Sequence, residues 1–141
     1  MFIMKLFLYH FLTIVFILQL ISCSSSKPPV EYSYQYIDKA RQDAYTEVYK
    51  YRYKIAEGEW QDIDIYVKNE NFTYIINMET YFGQMQNRFV YNSLKKSQNF
   101  ASQFRAVPET VNTVQEAIEL ALGIYIQDFK SKEATNPGSG K

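Results

Sequence analysis

The chain has 141 residues, 15 Lys+Arg against 15 Asp+Glu, and a single cysteine. That length suits one domain, the charge balance excludes the broad basic surface that nucleic acid requires, and a lone cysteine excludes an internal disulfide. Aromatic residues make up 17% of the chain, with 13 Tyr and 10 Phe, so core and partner surfaces are expected to use rings that bury a face and keep a hydroxyl wet.

Residues 1–22 read as an export signal. Lys5 supplies a positive start, with Met1 and Met4 equally good first residues, and Leu6 to Leu18 is apolar apart from Tyr9, His10 and Thr13. Leu20-Ile21-Ser22-Cys23 follows. This tetrapeptide resembles the lipobox of bacterial lipoproteins, in which a small residue before the cysteine lets the peptidase reach the bond and the thiol receives diacylglycerol through a thioether. The resemblance implies cleavage between Ser22 and Cys23 and attachment to a membrane by lipid on Cys23. A single acyl chain anchors marginally, at about 0.8 kcal/mol per buried methylene, whereas two or three hold effectively permanently. An uncleaved anchor competes poorly, because residues 6–22 are at the lower limit for a bilayer span. Ser24 occupies the position at which Asp retains enterobacterial lipoproteins in the inner membrane. The resemblance therefore favours the periplasmic face of the outer membrane, with the inner membrane as the other possibility. Cleavage removes Lys5, leaving 14 of the 15 basic residues against 15 acidic ones, a formal charge of −1. It also removes His10, the only histidine, and with it the commonest general base and metal ligand.

Residues 23–30 form a Ser/Pro tether that cannot start a helix and solvates well. Residues 31–57 are expected to form a long helix: Tyr34, Ile37, Ala44, Val48, Tyr51 and Ile55 recur at three- and four-residue steps, with Arg41 the polar member of the series, and Gly58 is a suitable stop. Tyr32, Tyr36 and Tyr53 project away from that stripe, which makes them the candidates for contact with a partner. Residues 60–67 alternate, with Ile63, Ile65 and Val67 on one side and Asp62 and Asp64 on the other. Lys68 to Asn71 is expected to turn, and Phe72 to Asn77 to return as the second strand of a hairpin. Met78 to Phe82 can extend that strand, with Gly83 as its break. Residues 86–92 read equally as a third strand or as a helix start, while Leu94, Ala101 and Phe104 lean helical. After the break at Val107-Pro108, Thr113 and Glu116 fit a capping box. Val111, Val114, Ile118, Ala121, Leu122, Tyr125 and Phe129 then form a helical stripe, and Lys130 and Lys132 suit its negative end. Residues 133–141 read as a disordered tail.

The expected fold is α+β over residues 31–132: a long N-terminal helix, an antiparallel hairpin or three-stranded meander, and a long C-terminal helix packed on one sheet face. A helical bundle with the hairpin as an excursion is the alternative.

Chemistry is sparse. Asp62 and Asp64, with Glu57 and Glu59, make an acidic patch that could in principle bind a cation or do acid/base work. Strand alternation already explains it as a solvent face. Gly-x-Ser-x-Gly is absent, the only thiol is expected to carry lipid, and five glycines are too scattered for a phosphate loop. Asn71-Phe72-Thr73 matches a glycosylation sequon by chance in a bacterial setting. The expectation is a non-catalytic binding or scaffold module, without cofactor, metal, nucleic acid or small-molecule substrate. Its partner would be another envelope protein, most simply in an accessory role in a secretion, pilus or conjugation assembly. An immunity, inhibitor or exclusion lipoprotein is the alternative, and a cell-envelope hydrolase the remote one.

Overall fold

A computed structural model describes residues 28–81, 87–101 and 105–135. The signal segment, Cys23 and most of the tether lie outside the described residues. One antiparallel sheet is laid out as a meander in chain order: β1 Tyr32–Arg41, β2 Thr46–Ile55, β3 Gln61–Glu70, β4 Thr73–Met78, β5 Arg88–Asn92, β6 Ser97–Phe100 and the two-residue β7 Arg105–Ala106. A helical run then crosses it as α1 Val114–Tyr125, a π-helical turn Ile126–Lys130, and α2 Ser131–Thr135.

The long N-terminal helix is not there, and the expected fold is corrected accordingly. Residues 31–57 are β1 and β2, joined by a turn in which the Asp43 carboxylate accepts from the Tyr45 N–H at 2.8 Å. In β2, Tyr49, Tyr51 and Tyr53 alternate with Lys50, Arg52 and Lys54, so two-residue spacing places every ring on one face. Tyr32, Tyr34 and Tyr36 do the same in β1. The three-and-four spacing of the presumed helical stripe mixes the faces: Tyr51 and Tyr34 point inward, Val48 outward, and Ile37 falls where the β1–β2 register slips between Tyr36 and Asp38. Residues 97–100, in the stretch that leans helical by spacing, are strand β6, and residues 88–92 are a strand rather than a helix start. The sheet therefore exceeds the hairpin or three-stranded meander expected.

Other elements match the expectation closely. β3 buries Ile63, Ile65 and Val67 and exposes Asp62 and Asp64, and it pairs with β4 in an antiparallel hairpin. Thr113 caps α1 by accepting the Glu116 N–H, while the Glu116 carboxylate accepts from the Asn112 N–H. The helical run continues to Thr135, three residues into the segment expected to be a tail.

The inner face of the sheet is the core. Register places Tyr51 beside Ile63, Ile65 beside Met78, Ile76 beside Phe89, and Phe89 beside Phe100. All are buried, as are Ala117, Ile118, Ala121 and Leu122 of the helix that covers them. At about 25 cal/mol per Å² of apolar area, this face supplies the main folding drive. Polar groups inside it are aimed: Gln98 Nε2 donates to the Ala117 carbonyl at 3.0 Å, and the Tyr91 hydroxyl to the Val111 carbonyl at 3.0 Å. On the outer face, Lys50 stands opposite Asp64 and Arg52 opposite Asp62, which balances the acidic pair across strands.

Candidate binding surface

A meander sends alternate turns to opposite ends of the sheet. The chain enters at one end, the base. There Val30 exchanges two hydrogen bonds with the Gln127 side chain, at 2.9 and 2.6 Å. These tie the incoming strand to the end of the helix. β1 then runs ten residues, about 33 Å, to the far end. The β1–β2, β3–β4 and β5–β6 turns all lie at that far end, and each presents one solvent-facing apolar side chain: Tyr45 at 69%, Phe72 at 58% and Leu94 at 68% exposed. Two backbone hydrogen bonds lash the turns together, Asn69 N–H to the Tyr45 carbonyl and Ser93 N–H to the Phe72 carbonyl, both 2.9 Å. The tips therefore form a fixed row, spaced about 10 Å apart because each turn lies two strands from the next.

Other exposed rings are occupied. The Tyr34 hydroxyl donates to Glu119 at 3.1 Å, and Tyr36 sits edge-on to Tyr51. Trp60 lies under the Arg52 and Lys54 cations, and Tyr81 packs on Tyr66 while donating to Asp43 at 2.8 Å. Among the described residues, the side chains of Tyr45, Phe72 and Leu94 make no ring contact, ion pair or hydrogen bond.

Beside the first two tips the inner face is not covered by the helix, which starts only at Val114. The result is a half-open trough of about 710 Å³, within the size range of ligand clefts. Tyr49, Tyr74, Val67 and Val114 line its floor, and Arg41, Asn69 and Asn71 its edge. Burial, then the neighbouring Glu47 carboxylate, pushes the Tyr49 phenol well above its usual range. Hydrogen bonds from the Tyr45 N–H and the Tyr81 hydroxyl hold the Asp43 carboxyl below its ordinary value.

At the base a second cluster joins helix to sheet. The Tyr125 hydroxyl donates to Glu79 at 2.6 Å, and Lys130 Nζ reaches the same carboxylate at 2.8 Å. Glu79 has a left-handed backbone, φ 62, and the helix opposite is π-helical. Two local distortions thus meet at one ion pair, a pattern found at functional sites as well as at structural clamps. Burial and then the Glu79 hydrogen bond push Tyr125 up strongly. Burial disfavours the Lys130 ammonium, but contact with Glu79 outweighs it and the net shift is upward. Neither group is tuned toward neutral pH, so the cluster behaves as a latch rather than as an acid/base pair.

Of the sequence-derived partner candidates, Tyr36 is 46% exposed on the edge strand. Tyr32 is half-buried, its hydroxyl against Gly123. Tyr53 is buried at 2% exposure, with its hydroxyl donating to Gln61 at 2.9 Å. The three share the inward face of the sheet, and Tyr53 offers a partner no surface. Sequence reasoning missed Tyr45, Phe72 and Leu94. An apolar residue inside a polar turn, as in Glu-Asn-Phe-Thr and Asn-Ser-Leu-Lys, was the available signal. No group of three or more His, Cys, Asp or Glu side chains among the described residues could hold a metal ion, and no described helix is long and apolar enough to cross a membrane. The chain matches no protein-family model, no curated protein and no solved structure.

Proposed function

We propose that the protein is a lipid-anchored, non-catalytic docking module of the bacterial envelope, held by Cys23 and serving as an accessory part of a larger envelope assembly. The placement of the free apolar tips carries this reading. The tether reaches the domain at the base, where Tyr32 lies nine residues after Cys23. The unengaged side chains of Tyr45, Phe72 and Leu94 crowd the opposite end. A domain leashed at its base presents that end away from the lipid surface. Isolated exposed apolar residues are ordinary. Three at the tips of hydrogen-bonded turns form a pre-ordered row, and pre-order lowers the entropy cost of docking.

The test is photo-crosslinking in the native cell, with benzoylphenylalanine placed singly at positions 45, 72 and 94, and at position 62 on the outer face as control. Adducts to one envelope protein from the tip positions, and none from position 62, support the reading. A reading in which the tips only face solvent is supported if all four positions behave alike.

A further inference from the structure

We propose that the trough beside the β1–β2 turn binds an uncharged oligosaccharide chain. This inference requires neither the tip-docking reading nor the lipid anchor, although Tyr45 belongs to both surfaces.

The chemistry of the trough selects the ligand class. Its floor presents the half-buried ring of Tyr74, beside a nearly covered Tyr49 whose ring carries the Lys39 ammonium, and the exposed ring of Tyr45 stands at its rim. Tyrosine rings give flat apolar faces with polar edges, which suit the C–H face of a pyranose. At the edge, the side-chain amides of Asn69 and Asn71 make no hydrogen bond among the described residues. Each amide has two donors and a carbonyl acceptor, which pairs well with neighbouring hydroxyls that both donate and accept. Asn71 is held at φ 58 in the tight β3–β4 turn, so its position is fixed before any ligand arrives.

The electrostatics disfavour an ionic ligand. Lys68 is paired with Glu70 at 2.6 Å, Glu47 with Lys39 at 3.3 Å and with the Tyr49 hydroxyl at 3.1 Å, and Asp43 with Tyr81. Arg41 alone among the charged lining residues has no such partner among the described residues. One unpaired cation is a poor phosphate site. At the start of the helix the Glu116 carboxylate already sits on the Asn112 N–H and Thr113 caps the Glu116 N–H, so an acid stands where an anion would bind. Shape argues against a peptide. The trough lies on the face of paired strands rather than along a free edge, so strand addition is closed to it. Val67 and Tyr49 are nearly covered and leave no deep pocket for an anchoring side chain.

The test uses the full-length protein in a detergent without a sugar headgroup, titrated calorimetrically with cellotetraose and with the β-1,4 tetramer of N-acetylglucosamine. At least one is expected to bind with a Kd of about 1 mM or tighter, weak because the site is shallow and wet. The variant Asn69→Ala/Asn71→Gly removes both amides while glycine keeps the left-handed turn unstrained. It should weaken binding at least about tenfold, with an unchanged circular dichroism spectrum. Asp62→Asn, on the outer face, should leave it unaltered. The proposal is overturned if neither tetramer binds at about ten times that concentration, if the double amide variant binds as the parent does, or if tripolyphosphate or an extended peptide displaces the sugar.

Discussion

Tyr125 and Glu79 join the helix to the sheet through one hydrogen bond of 2.6 Å, made at a residue whose backbone is left-handed and a helix that is locally π-helical. Removing the hydroxyl leaves a partly buried carboxylate with Lys130 as its remaining partner. Tyr125→Phe should therefore lower the unfolding free energy by about 1–2 kcal/mol, read as a shift in urea midpoint at constant slope. Glu79→Ala loses both partners at a site partly open to solvent, so it should cost about 1–2 kcal/mol. In the Glu79→Ala background, Tyr125→Phe should add almost nothing, because the interaction it removes is already gone.

Stability should be level through neutral pH and fail at high pH. The only histidine precedes the described residues. Burial raises the phenols of Tyr49, Tyr51 and Tyr125, and Glu79 raises Lys130 against the opposing effect of burial. A group raised on folding contributes stability that is complete below its unfolded value, about 10 for both types, and is lost as pH climbs through the folded value. Denaturation midpoints should thus fall once pH exceeds about 10. Phenolate absorbance should rise in two phases, the second coinciding with loss of the sheet signal. Asp43 shifts the other way and acts only at the acid end, where its contribution fades as pH drops through its lowered value.

The register of β1 against β2 is open to a covalent check. Ser33 faces Lys54 across the ladder, and cross-strand Cα atoms lie about 4.5–5.5 Å apart, within disulfide reach. Ser33→Cys/Lys54→Cys should oxidise readily and raise the unfolding free energy by about 3 kcal/mol for a loop of this length, read from the urea midpoint. A helix over 31–57 would hold the two positions about 30 Å apart and could not close.

Exposure separates the tyrosines. Tyr53→Ser removes a buried ring and should cost about 3–5 kcal/mol. Tyr36→Ser should cost less because half of that ring is in solvent, and the combined Tyr45→Ser/Phe72→Ser/Leu94→Ser variant should remain within about 1 kcal/mol of the parent. If the tip variant instead melts as early as Tyr53→Ser, those side chains are structural.

The C-terminal helix was legible because its signals agree: Thr113 and Glu116 mark the start, and the stripe from Val114 to Tyr125 has only one face to bury. The β3–β4 hairpin was legible because Ile63, Ile65 and Val67 alternate with acids. β1 and β2 carried the same alternation, Tyr alternating with Ser33 and Gln35 in β1 and with Lys50, Arg52 and Lys54 in β2. There the tyrosines also fell at helical intervals. Tyrosine favours strands, and that preference, together with the turn residues at Gln42–Asp43, decides the outcome. β5 and β6 are short and were set by their neighbours, Phe89 lying between Ile76 and Phe100. The candidate surface was invisible as long as residues 42–45 were placed inside a helix, since a turn tip exists only once both flanking strands do.

Docking away from the membrane requires that the chain be held at Cys23. Intact-mass analysis of the protein purified from its native membrane tests this directly. A chain beginning at Cys23 and carrying the mass of diacylglycerol on that residue is the expected result. A chain that keeps residues 1–22, or one whose Cys23 is a free thiol, would contradict it.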